Sequence, residues 1–185
     1  MDRPAFEMRS ATGGDADSIA RLVHDCFLTY QSFMGSDWEP PTLDWHTADV
    51  EHRLEGVGVR TRMARKPPPP PAAAGEVSAP DTVGFCGWMP ARTDDEAREP
   101  VPGLAHLWML FVGREHWGSG LGAELLDWAC TGMLAAGYDA ARLWTPSGQA
   151  RARAFYERRS WSATGRDHFS PELGLPVLEY RLDLD

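Results

Sequence analysis

Leu104-Ala105-His106-Leu107-Trp108-Met109-Leu110-Phe111-Val112 runs through the turn Gly113-Arg114-Glu115-His116 into Trp117-Gly118-Ser119-Gly120-Leu121-Gly122, after which Leu125, Leu126, Trp128, Ala129, Met133 and Leu134 recur. The first nine residues are a nearly unbroken apolar run of strand length, as expected for a strand covered on both faces and therefore central in its sheet. The last set is spaced as the buried face of a helix, which Gly137 is placed to stop. Three alternate glycines at a strand-to-helix junction let the backbone pass close to a bulky ligand. The free amides at the start of the helix then point at whatever anion sits there. A phosphate or diphosphate site is the physical reading. A tight turn for close helix packing is the alternative that three glycines alone leave open.

Upstream, Phe6-Glu7-Met8-Arg9 alternates as a short first strand, and Ala11-Thr12-Gly13-Gly14-Asp15 supplies turn residues and a helix cap. Ile19, Leu22, Val23, Cys26 and Phe27 then mark a helix reaching about Tyr30. Residues 31–41 lose periodicity and gather aromatics, residues 43–54 form a weaker helix, and residues 57–63 and 81–89 read as strands of one sheet. Between those strands, residues 66–80 contain five consecutive prolines and then Ala72-Ala73-Ala74-Gly75, a composition for an exposed insertion. Residues 91–103 are a polar interruption ending in Pro100-Val101-Pro102-Gly103, read as turn material. Downstream, residues 141–144 form a short strand and 150–159 a short helix, with closing strands at Trp161 and at 177–184. The latter half reads β-α-β-α-β-β, mixed rather than strictly alternating.

At 185 residues the chain is sized for a single domain spanning residues 1–185, and 43% apolar with 24% charged residues places it among globular proteins. The formal charge of −9 disfavours nucleic acid and anionic membrane surfaces as partners. Cys26, Cys86 and Cys130 show neither CxxC spacing nor histidines at zinc-ligand intervals, so no disulfide framework and no metal are expected. An N-terminus without an apolar leader and the lack of any membrane-length apolar stretch make a cytoplasmic location the expectation. Seventeen of the 18 basic residues are arginine, which together with the many alanines points to a GC-rich bacterial genome.

A dinucleotide site would need GxGxxG and a later acid, and a P-loop would need GxxxxGK[ST]; neither pattern is present. What the glycine segment resembles is the coenzyme A site of the GNAT acetyltransferase superfamily, whose signature is a strand, then Q/R-x-x-G-x-G/A, then a helix. Trp117 stands here in place of the usual Gln or Arg. Two further segments are similar to the family in order and spacing. The first is Phe6 to Thr12 with Asp15-Ala16-Asp17. The second, Gln149-Ala150-Arg151-Ala152-Arg153-Ala154-Phe155-Tyr156-Glu157 followed by Trp161, resembles the N-x-x-A-x-x-F-Y-E helix and its G-[FW], with Gln149 and Ser160 as departures. Together the three cover nearly the whole chain except residues 31–80.

The resemblance implies a mixed α/β (α+β) fold, a mostly antiparallel central sheet flanked by helices, and transfer of an acetyl group from acetyl-CoA by direct attack of an amine. Leu110, Phe111 and Val112 are then expected to offer backbone groups to the donor. Trp117, Gly118, Ser119, Gly120, Leu121 and Gly122 would hold the diphosphate, with Gln149, Arg153 and, second to it, Arg158 nearby; solvated helix-face charges are the alternative for both arginines. Tyr156 is the expected general acid on the departing thiolate, although a Phe-Tyr pair also serves to anchor a helix. His106 matches the position of the family's usual carboxylate base; its ordinary pKa suits the role, and a hydrogen-bonded core histidine is the alternative. His46, Asp49 and Glu51 compete with it. Tyr30, Phe33 and Trp38, near Glu39, Trp45 and Asp49, are expected to face a small-molecule or peptide amine, or else to form a second hydrophobic cluster. Monomer and homodimer are both open. A CoA-binding or regulatory module that keeps the fold without turnover is the alternative function.

Overall fold

The computed structural model describes residues 6–66, 81–93 and 98–184. Except for Lys66, the proline-rich segment lies outside them, as do the acids at 94–96. Among the described residues, strands β1 (Glu7–Arg9), β2 (Arg60–Arg65), β3 (Thr82–Arg92), β4 (Pro100–Val112), β5 (Ala140–Pro146), β6 (Ser162–Ser170) and β7 (Leu175–Asp183) form one sheet. Its order is β1-β2-β3-β4-β5-β7-β6, antiparallel except between β4 and β5. The apolar run of β4 is thus at the centre, and the mixed, mostly antiparallel architecture is the one the sequence implies.

Helices cover both faces. On α1 (Ala16–Leu28), Ile19, Val23 and Phe27 recur every fourth residue and are buried with Met63, Phe85 and Met109. The entry to α1 is fixed by Asp15, whose carboxylate receives the backbone N–H of Thr12 at 2.8 Å and an ion pair from Arg9 at 2.5 Å. That pairing holds the Asp15 carboxyl well below the usual range. A short helical turn, α2 (Gln31–Met34), leads to α3 (Leu43–Leu54), where the Thr42 hydroxyl caps the Trp45 N–H at 3.2 Å; α3 packs on α1. On the opposite face, α4 (Leu121–Ala135) buries Leu121, Leu125, Leu126, Ala129 and Met133 against Val83, Trp88 and Leu107. Each large side chain so buried contributes about 2 kcal/mol. The last helix, α5 (Ala150–Glu157), follows β5. Among the described residues no helix is long and apolar enough to cross a membrane.

Three expected boundaries are corrected. The strand read at 57–63 begins at Arg60, because Val57 and Gly58 form a turn in which Gly58 has φ +79°. The segment Pro100-Val101-Pro102-Gly103, read as turn material, is already strand; pairing with β5 starts only at Leu104, so the prolines have a neighbour on one side only. Strand β6 is a nine-residue edge strand exposed along nearly its whole length, which leaves it no apolar alternation to read.

The feature that positions the site lies within β4. Gly87 pairs with Met109 and Trp88 with Leu107, so Trp108 is an extra residue, a β-bulge. Before it, Ala105 and Leu107 pack toward α4; after it, Leu110 and Val112 do, while Trp108, Met109 and Phe111 pack toward α1. Gly87 admits the bulge because a Cβ there would overlap the Trp108 indole. Pairing of β4 with β5 covers Leu104 to Leu107 and stops just before the bulge, although both strands continue.

Candidate active site

Past Leu107 the two parallel strands diverge, and two clefts open around the gap. The first, of about 550 Å³, lies between the end of β4, the loop to α4, and α5. Leu110, Phe111 and Val112 line it, so the β4 backbone facing β5 is available to a ligand instead of a ladder. Gly118 and Gly120 also line it, both in the left-handed region at φ +80° and +91°. A Cβ on Gly118 would meet nothing within 4 Å, so the chain there faces open space. Gly120 is the N-cap of α4 and offers no side-chain cap; the Leu121 N–H goes to the Ser119 hydroxyl, which leaves the amides of Gly122 and Ala123, both lining the cleft, at the positive end of the helix dipole. Gly122 meets Phe155 and Val112 at ordinary contact distances, 3.6 and 3.7 Å, so the close-packing reading is correct for that third glycine.

The charged lining of this cleft among the described residues is wholly basic: Arg151, Arg158 and Arg159, with His116 beside them. In a chain of formal charge −9, that concentration makes the cleft a natural seat for a polyanion. An open glycine cradle, an uncapped helix start and three arginines fit a diphosphate, and the strand gap fits an extended arm leading from it.

The second cleft, of about 690 Å³, lies on the α1 and α3 side, lined by Trp45, His46, Asp49 and Arg53, by His106, Trp108 and Met109, and by Trp144 and residues of β6 and β7. Tyr30 and Phe111 line both clefts and so mark where they meet. Among the described residues no group of three or more His, Cys, Asp or Glu side chains could hold a metal.

The expected donor-site residues Leu110, Phe111, Val112, Trp117, Gly118, Gly120, Gly122, Gln149 and Tyr156 all line the first cleft. Three others do not. The Ser119 hydroxyl donates to the His116 carbonyl at 2.7 Å and accepts the Leu121 N–H at 3.3 Å, shaping the turn. Leu121 is 1% exposed and packs beneath α4. Arg153 is turned to the other side of α5, donating to the Tyr180 hydroxyl at 3.2 Å and the Ser147 carbonyl at 3.1 Å, while Tyr180 donates to Glu157 at 2.7 Å. On an eight-residue helix Arg151 and Arg158 lie on the cleft face instead. Helical phase decides this, and the motif alone does not carry it.

Tyr156 is buried, packed against Phe155, Trp161 and Tyr180, and also lines the first cleft, so its place is compatible with both the anchor and the acid reading. Burial, with Cys86 and Tyr30 nearby, pushes its phenol far above its ordinary range and keeps it protonated. Tyr30 is shifted the same way by burial, with the Gln149 side chain nearby acting in the opposite direction. Phe33 and Trp38 line neither cleft. They stand behind Tyr30 in the α1 cluster, Phe33 at 5.1 Å and Trp38 stacked at 6.2 Å between ring centres, with the Trp38 indole donating to the Leu173 carbonyl at 3.2 Å. Their expected contact with an acceptor is therefore replaced by the second hydrophobic cluster.

His106, the expected base, lines the second cleft, at the register of Met89 and Arg142. Of its competitors, Glu51 is exposed on α3 and lines neither cleft. Asp49 receives the Arg53 Nε at 2.8 Å. His46 is 1% exposed, with neither ring nitrogen hydrogen-bonded, and burial beside His24 pushes its pKa down to about 4. Sequence reading missed the aromatic and basic walls contributed by Trp108, Trp144 and Arg166. No local pattern marks them, because they come together only across β4, β5 and β6.

Residues 30–161 match the family model described as "Acetyltransferase (GNAT) family". No match was found among curated proteins. Among solved structures, a GNAT-family protein from Desulfovibrio desulfuricans has 22% identity and a TM-score of 0.67 over 98% of this chain and 100% of its own. PaiA N-acetyltransferase from Thermoplasma acidophilum, solved with coenzyme A, has 13% identity and a TM-score of 0.63 over 96% and 99%. YncA from Salmonella typhimurium, solved with acetyl-CoA, has 17% identity and a TM-score of 0.63 over 98% and 95%. The family match spans most of the chain and takes in the strand, the glycine turn and the tyrosine helix that build the first cleft: the chain belongs to the GNAT acetyltransferase family and is an acyltransferase.

Proposed function

We propose that the protein transfers an acetyl group from acetyl-CoA to a primary amine of a small molecule or peptide, both substrates being held at once. The observation that carries this is the meeting of a basic, glycine-cradled cleft with a second, aromatic-walled cleft at Tyr30 and Phe111, where β4 and β5 part. Two reactants seated from opposite sides of one gap gain the proximity a bimolecular transfer needs. Acetyl-CoA supplies a thioester acyl carbon, open to attack by an uncharged amine, and a thiolate leaving group.

The chain's own residues divide the remaining work. Amides of the α4 first turn and the arginines of the first cleft bind and orient the phosphates. Backbone groups of Leu110 to Val112 hold the extended arm. Tyr156 stays protonated and donates its hydroxyl proton to the leaving sulfur. The low-polarity surroundings that keep Tyr156 protonated also make a thiolate released there a stronger base than in water, and burial pushes the neighbouring Cys26 thiol up to about 12. A role for Cys26 as nucleophile is disfavoured by the same shift. His106, in the acceptor cleft, takes a proton from the incoming ammonium; Asp49 is committed to Arg53, and His46 is too weak a base.

Release of free thiol from acetyl-CoA across a panel of amines, aminoglycosides and peptides tests the reading. Turnover with at least one acceptor, reduced in His106→Gln, supports it. Tight binding of acetyl-CoA with no thiol release and no effect of Tyr156→Phe would leave the non-catalytic CoA-binding module.

A further inference from the structure

The family signature places a Gln or Arg where this chain has Trp117, so the loop lacks the polar side chain that the resemblance implies at its first position. The structure shows what stands there. The Trp117 indole N–H donates to the Val112 carbonyl at 2.8 Å, which locks the ring against the end of β4. Over the face of that ring lies the guanidinium of Arg151, its carbon 4.1 Å from the ring centre. Arg151 comes from the first turn of α5, on the far wall of the cleft, and both side chains line it together with Gly118 and Gly120.

We propose that Arg151, held on Trp117, is a phosphate-binding residue of the donor site and takes the place of the polar side chain that the signature has on the loop; Trp117 is its positioning residue. The inference rests on the acetyl-CoA reading above. Three observations support it. The contact is well within cation–π range, so Trp117 restricts where a long, flexible arginine can go. The planar fork of a guanidinium stacked on a ring keeps its N–H edges outward, suited to two phosphate oxygens at once. The described charged lining of the cleft carries no acid to compete for it. Arg159 is arranged similarly, over Phe155 at 4.2 Å, but it also donates to that residue's carbonyl at 3.4 Å. The family motif puts its Gln or Arg on the loop, whereas here a cation reaches the same opening from α5, so that binding the donor also ties α5 to the loop.

The test is calorimetric titration of the full chain with acetyl-CoA and with S-acetylpantetheine, which lacks the phosphates. Arg151→Gln is expected to weaken acetyl-CoA about 10- to 100-fold, to flatten the salt dependence of Kd, and to leave S-acetylpantetheine unchanged. Trp117→Ala is expected to lose a similar factor, and the double variant little more than either single change. The decisive variant is Trp117→Arg on the Arg151→Gln background, which returns a cation to the family's position and is expected to recover most of the lost affinity. A purely structural Trp117 would not be rescued in this way. Thermal melts of each variant separate misfolding from lost binding, and Trp117→Phe, which keeps a ring without the indole N–H, replaces Trp117→Ala if that variant fails to fold. If wild-type protein takes up no acetyl-CoA, the donor reading itself fails. If wild type binds and Arg151→Gln binds equally well, or the Trp117→Arg rescue is absent, the assignment to Arg151 is overturned while the donor reading stands.

Discussion

The two clefts that meet at Tyr30 and Phe111 are built in different ways. The first cleft, proposed for the donor, draws mainly on one stretch of chain, the end of β4 with its glycine turn, and on α5, with Cys26, Thr29 and Tyr30 from the end of α1 closing one side. Its binding groups are largely backbone amides, fixed once the turn forms. The acceptor cleft is assembled from α1, α3, β3, β4, β5, β6 and β7, and its walls are side chains: Trp45, Trp108, Trp144, His106, Arg53 and Arg166. Backbone sites tolerate sequence change around them, and side-chain sites are where change shows. On the proposed reading, donor and acceptor are recognised by separable parts that meet at Tyr30 and Phe111, just past the β-bulge at Trp108.

That separation is open to attack. The largest effect is expected from Tyr156→Phe: with only the hydroxyl removed, kcat should fall by about 10²–10³ while the Kd for acetyl-CoA changes less than threefold in a binding titration. Equal losses in both would make Tyr156 an anchor and nothing more. Next comes Gly120→Val. A β-branched residue at φ +91° is strained by about 1–3 kcal/mol and stands over the α4 amides. Acetyl-CoA affinity should drop about 100-fold, with circular dichroism still showing a folded chain. Gly87→Ala acts on the other cleft, since its Cβ would displace the Trp108 indole. The acceptor KM should rise about tenfold, with acetyl-CoA binding intact; a matching loss on the donor side would show that the bulge couples the two clefts.

The smallest effect at neutral pH belongs to His46, which lines the acceptor cleft yet is buried without a hydrogen bond on either nitrogen. Its folded-state pKa, pushed down to about 4, lies below the value near 6.5 of an unfolded chain. The unfolded state therefore takes the proton first. Stability is complete above pH 6.5 and declines as pH falls toward 4, by at most about 3 kcal/mol. Unfolding midpoints measured across that window should show the decline in wild type and a flatter curve in His46→Leu. Below it, protonation of Asp15 releases Arg9 and removes further stability.

Much of the donor side could be read from residue order, because its determinants are local. An apolar strand, a glycine turn and a helix are adjacent in the chain, and helix-start amides need no particular side chain. The errors fall where geometry beyond the local pattern decides. Arg153 and Arg151 are equally basic and two residues apart, but the phase of α5 sends one to Tyr180 and the other to Trp117. Phe33 and Trp38 are aromatic, as an acceptor wall would be, yet they pack behind Tyr30, where α1 and α2 meet the turn before β7. The long exposed edge strand β6 has no apolar alternation and could not be read at its full length.

By itself, the sequence determined the central strand, the helix that follows it, the mixed order of elements and the glycine turn between strand and helix, since each depends on periodicity or on glycine's freedom over a few neighbouring residues. Only the tertiary structure decided the bulge at Trp108, the parting of β4 from β5, the burial of Tyr156 and the docking of Arg151 on Trp117. These depend on strand register and helix phase, which are set by packing between segments distant in the chain.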